Sequence, residues 1–175
     1  LQAQQFTPKS GYDLQKPPCT TQVILTDGGV YDNLGLETAW KRYRTIWVSD
    51  GGGMHDAEPD PKRDWAHHTF RVFNLIDNQV RSLRKRQVID SFRNQQRDGA
   101  YWGVWSDIRD YKLADALDCP FEKTRELANT PTRLKGQATE LQERLINLGY
   151  AMCDAAMRAF GGVRNAAPPK FPYSR

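Results

Sequence analysis

The chain has 175 residues, 39% of them hydrophobic and 26% charged, with five Trp. That length and apolar content suit one globular domain or part of a larger one, and exclude wholesale disorder. The 25 basic and 21 acidic residues leave a net charge of only +4, too small to argue for a nucleic-acid partner.

Residues 1–22 hold Pro8, Gly11, Pro17 and Pro18 among polar residues and read as an extended lead-in. Val23, Ile24 and Leu25 have the length and composition of a buried strand. The run stops at Asp27-Gly28-Gly29, where glycine frees the backbone to turn tightly. A short helix is predicted over about 34–42, with Leu36, Ala39, Trp40 and Tyr43 near one face. Thr45-Ile46-Trp47-Val48 is a second strand, ended by Ser49-Asp50-Gly51-Gly52-Gly53. Strand, helix and strand make a βαβ-like unit with parallel strands and a right-handed crossover, so the expected class is α/β.

Residues 54–64 carry two prolines and no apolar period, and read as a loop. From Trp65 or Ala66 to about Arg97, Phe70, Phe73, Ile76, Val80 and Leu83 recur at spacings of three and four. This predicts a long helix whose apolar stripe faces the core. Its later half sets Arg81, Arg84, Lys85, Arg86, Arg93 and Arg97 against one acid, Asp90. A third strand is predicted over 100–105, after Asp98-Gly99. Pro120 and Pro131 break residues 107–133 into short helical pieces. From about Gln137, Leu141, Leu145, Ile146 and Leu148 mark an amphipathic helix, with an interruption expected at Gly149 before it continues to Phe160. Residues 161–175, rich in glycine and proline, read as a loose tail. The organisation is thus a lead-in over 1–22, a folded body over 23–160 and a tail.

An acid at the carboxyl end of a strand, on a glycine-softened turn before a helix, is where α/β folds place reactive groups. Asp27 holds that position, although on local grounds the simpler account is that such an Asp only bonds its own turn. Asp50-Gly51-Gly52-Gly53 could offer N–H groups to an anion. It lacks the Lys-Ser/Thr of a P-loop and the spacing of a dinucleotide fingerprint, so a plain turn is the simpler account. His55, His67 and His68 lie near Asp56, Glu58, Asp60 and Asp64. The adjacent pair would diverge by about 100° on a helix, and the acids lack the Gly and closing Glu of a calcium loop. No metal and no cofactor is expected. None of Ser10, Ser49, Ser82, Ser91, Ser106 and Ser174 sits in Gly-x-Ser-x-Gly, so a hydrolytic triad fails on inventory.

The three cysteines, Cys19, Cys119 and Cys153, are far apart and read as reduced thiols. No apolar run approaches the ~20 residues of a membrane-spanning helix. The first residues carry no basic and apolar leader and no Met, which suits a fragment, a processed product or one domain of a longer protein.

The stretch Thr26-Asp27-Gly28-Gly29-Val30-Tyr31-Asp32-Asn33-Leu34-Gly35-Leu36-Glu37 resembles the Asp-Gly-Gly/Ala block of patatin-like phospholipases, a family of serine lipid acyl hydrolases, and most closely a bacterial branch of it. Val48-Ser49-Asp50-Gly51-Gly52-Gly53 resembles the family's next strand. Gly99-Ala100-Tyr101-Trp102-Gly103 and the run from Leu145 to Ala156 resemble its carboxyl-terminal segments. The resemblance implies part of a three-layer α/β/α sandwich and a Ser–Asp dyad in which Asp27 is the acid, supported by the turn residues Gly28, Gly29 and Asn33. The family's nucleophile elbow and oxyanion loop precede this block, and neither is found in these residues.

The expected function is therefore the acid-bearing part of a lipid acyl hydrolase, inactive alone. Its substrate would be a phospholipid or other acyl ester, and its partner the amino-terminal part of its own domain. The alternative is a non-catalytic module that binds an anionic lipid surface or a protein through residues 81–97, with Arg81, Arg84, Lys85 and Arg86 as the contacts. A solvated helix face is the plainer reading of that cluster. Either function places the chain in the cytoplasm or at the periphery of a membrane, without nucleic acid.

Overall fold

A computed structural model of the chain describes residues 16–22, 24–54, 57–133, 135–163 and 167–174. The chain divides into two compact units, Leu1–Tyr31 and Asp32–Arg175. In the first, Ile24 and Leu25 lie in irregular backbone, 89% and 84% exposed. The strand expected over 23–25 therefore does not form at its described residues. Apolar composition alone makes no strand; a neighbouring strand must take its N–H and C=O groups, and no described strand does. A short helix, α1 (Gly29–Asp32), closes the glycine turn, with Val30 N–H donating to the Asp27 carbonyl at 3.2 Å.

The second unit continues with α2 (Leu36–Arg42), β1 (Thr45–Asp50), α3 (Trp65–Arg93), β2 (Asp98–Gly103), a 3₁₀ turn (Ile108–Tyr111), α4 (Phe121–Ala128) and α5 (Thr139–Ala159). The strands pair in parallel, from Thr45 opposite Asp98 to Asp50 opposite Gly103. The chain is thus broadly α/β. Parallel pairing occurs as the sequence led us to expect, but between other strands: β1 and β2 are joined through α3, a connection long enough for a parallel crossover. Gly99 is required here. Its φ is +141°, and a Cβ there would sit 1.8 Å from the Ile46 carbonyl oxygen.

Side-chain alternation sends the two faces of this ribbon to different neighbours. Ile46 and Val48 pack with Leu36 of α2 and the fully buried Val88 of α3, flanked by Trp40, Phe92 and Tyr101. On the other face Ala100 meets Ile108 and Tyr111 of the 3₁₀ turn and Leu148, Ala151, Met152 and Ala155 of α5. Helices thus cover both faces. The small side chains of α5 let it approach the sheet closely, and burying Leu148 and Met152 outweighs the ~1 kcal/mol that a mid-helix glycine costs. Accordingly α5 runs through Gly149 without the expected break.

The stripe on α3 departs from expectation. Phe70, Phe73, Ile76, Val80 and Leu83 are 67%, 64%, 50%, 42% and 52% exposed, and only Val88 and Ser91 of the helix are buried. Length explains this. Its 29 residues span about 43 Å at 1.5 Å per residue, against about 20 Å for a six-residue strand. Only the carboxyl end of α3 reaches the ribbon.

The helix also stops at Arg93 rather than about 97, and β2 starts two residues before its predicted place. The tail is anchored in part. The side chain of Asn147, 2% exposed, donates to the Tyr173 carbonyl at 3.1 Å and accepts from its N–H at 3.0 Å, and Phe171 packs on the α5 cluster. Among the described residues no helix is long and apolar enough to cross a membrane.

Candidate functional site

Asp27 sits in the first unit with its carboxylate exposed. Its Oδ1 accepts the Gly29 N–H at 2.6 Å, the bond an Asx turn makes. The second carboxylate oxygen makes no hydrogen bond among the described residues, so the turn is satisfied while the acid stays open to chemistry. Gly28 has open space around it, and Asp27, Gly28 and Gly29 share this one turn. Asn33 is exposed and belongs to the second unit.

The rest of the block starts a helix. Asp32 Oδ2 accepts the Glu37 N–H at 2.6 Å and its carbonyl accepts the Gly35 N–H at 3.0 Å. Gly35 enters α2 at φ 62°, a left-handed conformation that glycine takes without steric cost. Sequence reasoning passed over Asp32. The available signal was an acid just ahead of a helix, where free N–H groups need acceptors.

The basic run on α3 is not one solvated face. Arg81 lies 3.6 Å from Asp50 Oδ1, both side chains largely buried, and its Nη1 donates to the Gly53 carbonyl at 3.1 Å. Arg84 approaches Glu37 at 3.5 Å, a carboxyl held below its ordinary value chiefly by the Lys41 hydrogen bond. Beyond the helix, Arg97 stacks on the Trp40 ring at 4.1 Å and donates to the carbonyls of Trp40 and Tyr43. These three cations bind α3 and its following turn to β1 and α2. Lys85 lies over the Tyr101 ring, 5.0 Å from its centre, and Arg86 reaches the Ser82 carbonyl on its own helix.

A second carboxylate site gathers at the carboxyl ends of the strands, around the Asp50-Gly51-Gly52-Gly53 turn that the sequence marked only as a possible donor of N–H groups to an anion. Asp50 Oδ2 accepts from the Tyr101 hydroxyl at 2.7 Å, and Oδ1 accepts the Gly52 N–H at 2.9 Å. Burial, and then the hydrogen bond to Asp50, push the Tyr101 hydroxyl pKa up, so it remains a donor. A Cβ on Gly52 would lie 1.7 Å from an Arg81 nitrogen. Beside this cluster opens a cavity of about 500 Å³. A larger one, about 710 Å³, runs between Phe92 of α3, Tyr101 of β2, Tyr111 and Phe160.

Among the described residues no three of His, Cys, Asp and Glu gather as metal ligands. His67 lies beside Asp64 instead, Nδ1 to Oδ1 at 2.8 Å, and the same Asp64 oxygen accepts the His67 N–H to cap α3. Compared with protein-family models, with curated proteins and with solved structures, the chain matches none.

Proposed function

We propose that this chain is the acid-bearing part of a serine lipid acyl hydrolase with a patatin-like α/β/α sandwich. The observation that carries the reading is the block from Thr26 to Glu37, with Asp27 exposed on a glycine turn that meets its own hydrogen-bonding needs. A parallel ribbon with helices on both faces is in keeping with a piece of such a sandwich.

In this reading a serine of a Gly-x-Ser-x-Gly elbow comes from the amino-terminal part of the same domain. Asp27 accepts the proton of that hydroxyl as its oxygen attacks the carbonyl of a phospholipid or other acyl ester. Backbone N–H groups near the elbow hold the oxyanion. The protonated Asp27 gives its proton to the leaving alcohol, then draws one from the water that hydrolyses the acyl-enzyme. Contact with the membrane that holds the substrate falls to Phe70, Phe73 and Ile76, exposed on α3, with Arg86 further along it.

The test is hydrolysis of a chromogenic acyl ester by the protein that carries both parts of the domain. Asp27→Asn should lower kcat/KM by about 10³-fold or more. Hydrolysis that survived the substitution would remove Asp27 from the mechanism.

A further inference from the structure

We propose that the cavity beyond the carboxyl ends of β1 and β2 is a binding subsite for a phosphate group. Ligands of open α/β sheets collect at this end of the strands, where turns and helices present donors. Here the wall is rich in donors that lack acceptors. Arg81 Nε and Trp105 Nε1 are buried and bond nothing, a rare and costly condition for a polar group. Asn78 makes no hydrogen bond, and Lys85 no ion pair, among the described residues; the Lys85 ammonium rests over the Tyr101 ring.

Spacing strengthens the case. Asn78, Arg81, Ser82 and Lys85 all line the cavity and stand at i, i+3, i+4 and i+7, one stripe of α3. Every member of that stripe can donate a hydrogen bond. Gly52 and Gly53 also line the cavity, beside Arg81, bringing the glycine turn after β1 to the same space.

The acids of the wall are mostly engaged. Asp50 accepts from Tyr101 and Gly52 and is ion-paired with Arg81 at 3.6 Å. Asp107 caps the 3₁₀ turn and pairs with Arg109 at 2.6 Å. Asp110 is the third acid of the wall, so the anion seats along the α3 stripe. A phosphate suits the donors because its oxygens point in several directions. An arginine fork and a lysine point charge are its common protein partners.

The phosphate could be free or the headgroup of a lipid, and two probes separate these. The ¹⁵N-labelled chain is titrated with sodium phosphate, and separately with monomeric short-chain phosphatidic acid, at constant ionic strength set with chloride. The Trp105 indole N–H, assigned through Trp105→Phe, should shift and saturate with at least one probe. Stronger binding of the short-chain lipid identifies a headgroup subsite; equal or weaker binding identifies free phosphate. Lys85→Met and Asn78→Leu, both at exposed positions, should each weaken the effective probe at least tenfold. Shifts that never saturate, that chloride reproduces, or that both variants retain would mean an adventitious ion only and overturn the proposal. The subsite asks nothing of Asp27, so Asp27→Asn leaves the titration unchanged and failure of the hydrolysis reading would be seen separately.

Discussion

Asp27-Gly28-Gly29 and Asp50-Gly51-Gly52 have the same local chemistry and different fates. In each, the aspartate Oδ1 accepts the N–H two residues on, at 2.6 Å for Gly29 and 2.9 Å for Gly52. There the likeness ends. Asp27 has its remaining oxygen open and its side chain exposed, whereas the Asp50 side chain is 12% exposed, with a tyrosine hydroxyl and a guanidinium at its oxygens. A turn is set by three consecutive residues. Whether its acid becomes a reagent or a structural tie depends on what distant elements bring to it.

Substitutions can break the comparison. The largest expected effect is catalytic: the loss of about 10³-fold or more for Asp27→Asn should come with a stability change within about 0.5 kcal/mol, as for exposed positions in general. Asp50→Ala should do the reverse. It leaves the Arg81 charge without its ion-pair partner and the Tyr101 hydroxyl without its acceptor, which should cost about 2–3 kcal/mol in urea unfolding. If Asp50→Ala proved as harmless as Asp27→Asn, the two turns would be equivalent after all. Tyr101→Phe removes one donor and keeps the ring under Lys85, so about 1 kcal/mol is expected from the same measurement.

The sequence made legible what is local. Periodicity located α3 and α5, and a short apolar run before a glycine turn located β1. An equally apolar run at 23–25 did not become a strand at its described residues, because composition does not say whether a partner edge exists. The stripe of α3 told which face is apolar but not how far the ribbon extends beneath it. The Asp50 turn was legible but the cluster gathered on it was not, for the same reason. Its carboxylate, the Tyr101 hydroxyl and the Arg81 guanidinium come from β1, β2 and α3, and the first two are 51 residues apart. Both glycine turns stood out because their residues are consecutive, and Asp27 further because the whole block from Thr26 to Glu37 is.

The mismatch in length between α3 and the ribbon divides one helix into two regimes of protection. Around Val88 and Ser91, backbone amides open only when the packed unit opens with them. Toward Trp65, 82% exposed, the turns are held, among the described residues, only by the Asp64 cap and by polar ties to the preceding loop, Arg71 to Glu58 and His67 to Lys62. A few can fray without disturbing the sheet. Hydrogen exchange along the 29 residues should therefore slow from the amino end to the carboxyl end. A single continuous helix would then behave as a firmly rooted post with a free upper half.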